Sequence, residues 1–319
     1  MELCIGIDVS KNYLDVYINN IEDKEHKVEN SEFGIEKLIK IFQNLQKNHD
    51  IQLIIFEATG GYERLLSIML RNLNFPVHVA HPNKIRNFAK ATGNFAKTDK
   101  IDARILSEFA RVFRPSSKAI SLKPEIESLR ALFIRRQQLL EDKIRESNRL
   151  DKHILDILRH SIETHVKWLS SQIKEVEKLI DQQIESHEAI KNPILLLSSV
   201  PGIGTLTSVA LLVGLPELGC IEGKQLAALV GVAPLNQDSG NKKGKRYIKG
   251  GRGSIRKSLY MSAIVSIRLN SDMKKFYQRL RAKGKAAKVA LTAVIRKLLI
   301  LLNSVVRRQT PWVDREQIA

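Results

Sequence analysis

Cysteine is nearly absent. Cys4 and Cys220 are the only two in 319 residues, and both lie in apolar surroundings. Two isolated thiols cannot build a metal cluster and exclude a disulfide framework, so a reducing cytoplasm is the expected setting. No apolar run reaches the roughly 18 residues that span a bilayer. The stretch from Leu298 to Leu302 is short and has cations on both sides, so no membrane partner is expected. A strand-like run starts almost at the first residue, which argues against a signal peptide. Between Pro124 and Pro193 there is neither glycine nor proline, which leaves that stretch without the strongest breakers of helix. Internal repeats and low-complexity segments are lacking. Acids are missing altogether from Asn241 to Lys257.

What is present is a cationic, globular composition. Apolar residues make up 43%, and 52 Lys and Arg oppose 34 Asp and Glu, for a formal charge of +18. That sign and size favour a polyanion. Nucleic acid is the commonest, because bound cations release the counterions condensed on phosphate. The length suits two compact domains and a connector.

The chain separates into three regions, with expected boundaries of 1–115, 116–192 and 193–319. In the first, Leu3 to Val9, Tyr13 to Ile18, His26 to Glu29, Ile51 to Phe56 and Pro76 to Ala80 read as strands. Phe33 to Leu45, Tyr62 to Leu73, Pro82 to Ala91 and Asp99 to Phe113 have helical spacing. The order β-β-β-α-β-α-β-α predicts an α/β domain with parallel pairing among its later strands. The middle region reads as one or two long amphipathic helices with coiled-coil packing. An antiparallel hairpin and a dimer coil fit it equally, because Arg136 and Lys143 fall near the seam. The last region is mainly helical but rich in glycine.

Four acids stand out. Asp8 ends the first strand and Glu57 ends the strand that starts at Ile51. A carboxylate buried unpaired in an apolar strand costs several kcal/mol, but at a strand's C-terminal end it can face a crevice. If the two strands are parallel neighbours, both acids reach the edge where open α/β sheets bind ligands. Asp99 and Asp102, three apart, share one face of a helix start. Four converging carboxylates call for hard divalent cations, Mg²⁺ or Mn²⁺, which serve phosphoryl transfer. Taken singly, Asp99 also reads as an acid complementing the helix dipole, Glu57 as a capped strand end, and Asp8 as the opening of an actin-like sugar kinase. The kinase would need a second acid–glycine phosphate loop after the helices, and none is evident.

The glycines and cations cluster late in the chain. Val200-Pro201-Gly202-Ile203-Gly204 resembles the hairpin of a helix-hairpin-helix, in which Gly202 and Gly204 would let backbone N–H groups approach phosphate. An ordinary turn is the plain alternative. Lys242, Lys243, Lys245, Arg246, Lys249, Arg252, Arg256 and Lys257 form a track without counter-charge, interleaved with Gly244, Gly250, Gly251 and Gly253. The reading is a flexible phosphate track. Ser239, just before it, has no general base beside it in sequence, and chemistry alone does not single it out.

Together these residues resemble the DEDD transposases of bacterial insertion sequences, a group that includes Piv-type DNA invertases and bridge-RNA-guided serine recombinases. Gly6-Ile7-Asp8-Val9-Ser10-Lys11, Phe56-Glu57-Ala58-Thr59-Gly60-Gly61-Tyr62-Glu63 and Lys97-Thr98-Asp99-Lys100-Ile101-Asp102-Ala103 look like the family's three N-terminal motifs. Pro201-Gly202-Ile203-Gly204, Gly231-Val232-Ala233-Pro234, Ser239-Gly240 and Gly250-Gly251-Arg252 look like its C-terminal transposase domain. The resemblance implies a RuvC-like (RNase H-type) fold, Mg²⁺ held by Asp8, Glu57, Asp99 and Asp102, and Ser239 as the nucleophile that links to DNA. It also implies donor and target DNA, a guide RNA and a homo-oligomer, dimer or tetramer, in which acids and serine cooperate across protomers. The expected location is cytoplasmic and nucleoid-associated.

Overall fold

A computed structural model of the chain describes residues 2–22, 24–94, 98–117, 123–151, 155–236, 238–239, 244 and 246–313. The chain divides into two compact units, Met1–Ser121 and Leu122–Ala319.

Unit 1 is built on a five-stranded sheet of order β3-β2-β1-β4-β5. The strands are β1 (Glu2–Val9), β2 (Tyr13–Ile18), β3 (Glu25–Glu29), β4 (Asp50–Glu57) and β5 (Val77–Ala80). β1, β2 and β3 form an antiparallel meander, while β4 runs parallel to both β1 and β5. The apolar residues of β1 and β4 alternate between two cores, as the two-residue period of a strand demands. Ile5, Ile7, Ile54 and Phe56 pack under α1 (Glu32–Leu45) and α2 (Arg64–Asn72). Cys4, Leu53 and Ile55 pack on the other face, under α3 (Pro82–Ala91) and α4 (Asp99–Phe113). α2 starts two residues after the expected Tyr62, because Gly60 and Gly61 take left-handed φ values of +77° and +126° and hold a loop open there.

α4 lies unusually close to β1. A Cβ on Gly6 would overlap the carbonyl oxygen of Ala103 and sit 2.9 Å from the Leu106 Cβ. One turn along α4, the Ser107 hydroxyl donates to the Cys4 carbonyl at 2.7 Å, fully buried. Helix backbone and strand backbone therefore touch with no side chain between them.

Unit 2 starts with α5 (Pro124–Ser147) and α6 (Asp156–Ser186), joined through a short 3-10 turn. Arg136 pairs with Glu177 at 2.7 Å and His165 lies 3.4 Å from Glu146. Those pairings run in opposite directions along the two helices, so they form an antiparallel hairpin within one chain, one of the two arrangements the sequence allowed. At the hairpin's base Leu129, Ile180 and Ile184 join Ile190, Val209 and Val213 in one cluster, which belongs to the same unit as the remaining helices. These are α7 (Glu188–Ser198), α8 (Thr205–Gly214), α9 (Gly223–Val230), α10 (Gly253–Leu269), α11 (Ser271–Ala282) and α12 (Ala287–Arg308). Pro193, a boundary by sequence, sits inside α7.

Two further sequence expectations need correction. Cys220, expected in apolar surroundings, is exposed to solvent. α12 is long and apolar enough to cross a membrane by length and composition, which counting uninterrupted apolar runs missed because Arg296 and Lys297 break the run. Its Val294, Ile295, Leu298, Leu299 and Leu302 are buried as the spine of the unit 2 core, against α9 and α10. Its Asn303 accepts from the Gly219 N–H at 2.7 Å and donates to the Ile221 carbonyl at 3.0 Å.

Gly6→Ala is expected to destabilise unit 1 by about 3 kcal/mol or to prevent its folding, since one methyl group has to displace helix backbone. Chemical denaturation followed by circular dichroism measures it.

Candidate functional site

The register of the sheet brings two of the expected acids side by side. The β1–β4 ladder ends with Ile7 beside Phe56, so Asp8 and Glu57 are the next residues on adjacent parallel strands, about 4.8 Å apart in backbone spacing. Asp8 alternates with Cys4 and Gly6, and Glu57 with Leu53 and Ile55; both therefore belong to the α4 face. Both are half-buried.

α4 brings its own acids to that edge. Ser107 lies on Cys4 and Ala103 on Gly6. Four helix residues advance about 6 Å and two strand residues about 6.6 Å, so the first turn of α4 lies level with Asp8. Thr98 caps that turn by accepting from the Ile101 N–H at 3.3 Å. Asp102 is half-buried in it, and Asp99 is exposed. Asp99 opens onto a cleft of about 440 Å³ on the β2–β3 side, shared with Asp15, Glu25, Lys27 and Lys100. Lys100 reaches Glu25 at 2.7 Å across this cleft. Among the described residues, no three His, Cys, Asp or Glu side chains gather closely enough to hold a metal ion. The edge holds Asp8, Glu57 and the α4 turn together but does not close the four acids into one cage.

Asp15 escaped the sequence reading. It pairs directly across from Asp8 in the β1–β2 ladder, is buried, and meets Lys27 at 3.2 Å. Its signal was the one that marked Asp8, a carboxylate in an otherwise apolar strand.

Beyond Glu57, the loop Ala58–Tyr62 is held from within. Glu63 Oε2 accepts from the Thr59 N–H at 3.1 Å, the Thr59 hydroxyl at 3.0 Å and the Gly61 N–H at 2.9 Å. Burial pushes the Glu63 carboxyl up, but these hydrogen bonds outweigh it and hold its pKa below the ordinary carboxylate value.

In unit 2 the cationic segment divides into two kinds of residue. Arg252 makes two hydrogen bonds to the Glu217 carboxylate, at 2.5 and 2.6 Å, and a third to the Gly214 carbonyl at 3.1 Å. Burial raises the Glu217 pKa, yet the bond from Arg252 and the other stabilising contacts leave it lowered. Arg256 donates to the carbonyls of Val230 and Gly250, at 3.1 and 2.7 Å, closing the C-terminal end of α9. Neither guanidinium has the open track position expected of it. Arg246 pairs with Asp238 at 2.9 Å, and Asp238 also accepts from the Gly244 N–H at 3.1 Å. Lys249 and Ser239 are exposed. Lys242, Lys243 and Lys245 lie outside the described residues.

Of these glycines, Gly202, Gly231 and Gly251 are tightly packed, while Gly204, Gly250 and Gly253 are not. Gly251 (φ +72°) abuts the backbone of Gly231, leaving no room for a side chain on either. Gly202 (φ +94°) lies against α10, where Ser266 donates to the Pro201 carbonyl at 2.7 Å. Gly204, at the start of α8, faces open space.

Known proteins match this chain from end to end. The model of the IS110-type DEDD transposases matches residues 5–159, and that of the transposase IS116/IS110/IS902 family matches residues 195–278. The chain belongs to this transposase family. The pilin gene-inverting proteins of Moraxella bovis and Moraxella lacunata are each 29% identical over 98% of both chains. An uncharacterized insertion element IS110 protein of Streptomyces coelicolor is 27% identical over 50% of this chain and 39% of its own. For this transposase, the first matched span contains all four acids and the second contains Ser239 and the cationic segment.

Arg252→Ala is expected to lower stability by about 2 kcal/mol, because it strips the partner from a half-buried carboxylate. The loss is present at neutral pH and shrinks as pH falls through the depressed Glu217 pKa, since a protonated Glu217 no longer needs the guanidinium. Lys249→Ala should leave stability unchanged and weaken DNA binding, reducing the slope of log affinity against log salt by about 0.9. Denaturation at several pH values and salt-dependent binding measure the two.

Proposed function

We propose that this insertion-sequence transposase cuts and rejoins DNA with two sets of residues, the carboxylates Asp8, Glu57, Asp99 and Asp102 and the hydroxyl of Ser239. The single observation that carries the reading is the strand register that sets Asp8 beside Glu57 under the first turn of α4. Three acids on a common edge, with a fourth in the same helical turn, have the donor chemistry of a Mg²⁺ or Mn²⁺ site. A bound ion of this kind would supply Lewis-acid polarisation of the phosphate. Asp8, Glu57 and Asp102 would hold it by drawing closer than they stand here, and Asp99 would join the set once its side chain turns from the β2–β3 cleft.

Ser239 would attack the phosphorus of a phosphodiester. Its Oγ–P bond forms as the bond to the leaving sugar oxygen breaks; the serine proton passes to water and the leaving oxygen takes up a proton. The phosphoserine conserves the bond energy, and attack by a second strand's hydroxyl releases the serine and rejoins the DNA. Exposure of Ser239 in a loop braced by Asp238 supports access to a strand. Donor and target DNA are the substrates. A guide RNA and a homo-oligomer, dimer or tetramer, whose acids and serines work across protomers, come with the family reading alone; the charge of +18 suits DNA and RNA equally.

The test is recombination in cells, scored by amplifying new DNA junctions from an element that retains its flanking non-coding DNA. Asp102→Asn and Ser239→Ala should each abolish junctions while nucleic-acid binding persists. Junctions that survive in Asp102→Asn would overturn the metal site. Survival in Ser239→Ala would leave a metal-only nuclease or place the nucleophile at a neighbouring serine, and survival without the flanking DNA would remove the guide RNA.

A further inference from the structure

The rim beside the acidic edge is held more firmly than a turn requires. Asn30 lies between β3 and α1. Its Nδ2 donates to the Ser10 carbonyl at 2.8 Å and to the Tyr62 carbonyl at 3.1 Å. Its own N–H donates to the Asn12 carbonyl at 2.8 Å. Ser10 comes two residues after Asp8, and Tyr62 five after Glu57. One amide thus staples together the two loops that leave the acid-bearing strands, and Glu63 fixes the second loop from inside.

This bracing holds residues that the fold itself does not bury. Tyr62 is 50% exposed, and Lys11 is exposed in the turn after β1. A Cβ on Gly60 would meet nothing within 4 Å, so the loop's outer side is open. An exposed aromatic ring and an exposed cation, carried on two loops that are tied to each other, are the groups used by surfaces that bind unpaired nucleic acid: bases stack on the ring whatever their identity, and the cation takes phosphate. Fixing the loop backbone that carries the ring beforehand lowers the entropy lost on binding.

We propose that the Ser10–Tyr13 turn and the Thr59–Tyr62 loop, stapled by Asn30, form a rim that grips an unpaired nucleic-acid strand at the acidic edge, with Tyr62 stacking on a base and Lys11 contacting phosphate. The inference rests on the reading of the acids as the cutting site, since the rim delivers a strand to Asp8 and Glu57. A base taken out of its duplex is the ligand, so the strand is opened before it is cut.

The probe is a short single-stranded oligonucleotide carrying a fluorescent adenine analogue whose emission stacking quenches. It is titrated into the full chain, and junction formation in cells is scored in parallel. Tyr62→Phe keeps the ring and should quench and recombine as the native chain does. Tyr62→Ala should lose the quenching, weaken binding at least about fivefold and lower junction yield. Lys11→Ala should keep the quenching but reduce the salt slope of binding by about 0.7. Asp102→Asn should bind and quench normally yet form no junctions. Native quenching and affinity in Tyr62→Ala would overturn the rim, and lost quenching in Tyr62→Phe would overturn stacking as its contact. If Tyr62→Ala fails as expected but Asp102→Asn still recombines, the rim stands and the cutting site lies elsewhere.

Discussion

The backbone of α4 lies directly on the backbone of β1 because residue 6 has no side chain. Everything at the acidic edge depends on that contact. With a Cβ at residue 6 the helix would have to rise off the sheet, and its first turn would leave the level of Asp8. The buried hydrogen bond from Ser107 to the Cys4 carbonyl sets the axial position of the helix as firmly as Gly6 sets its height. Asp99 and Asp102 therefore take their place from a glycine far from them in the sequence and a serine farther along their own helix.

The acids and the cations follow opposite design rules. Asp8 and Glu57 are half-buried at the end of a parallel strand pair, and Asp102 is half-buried in the first turn of α4. The cationic segment is divided. Arg252 and Arg256 hold the α8, α9 and α10 elements together by filling carbonyl and carboxylate acceptors, while Lys249 stays exposed. Arg suits the first task because its planar fork makes several fixed hydrogen bonds at once, whereas a lysine ammonium remains well hydrated and free to meet phosphate.

Much of unit 1 was legible in advance. The strand runs, the four helices and the strand-end positions of Asp8 and Glu57 follow from a two-residue and a 3.6-residue period, and both periods are local properties. The length of α12 was not legible, because Arg296 and Lys297 interrupt its apolar run while its buried stripe continues past them. Asp15 carried the same signal as Asp8, a carboxylate in an apolar strand, but its place opposite Asp8 comes from the pairing register, which is not written in either strand alone.

By itself, the sequence determined the family, the element order, the cationic balance and the positions of the candidate acids, because each depends on residue type and local spacing. Only the tertiary structure decided which acids share an edge, which arginines are occupied and which glycines are packed. Those outcomes depend on what lies across from a residue in space. Asp99 shows the difference: its place at a helix start was readable from its own motif, but its placement in a cleft with Asp15 and Glu25 came from the packing of α4 across three strands.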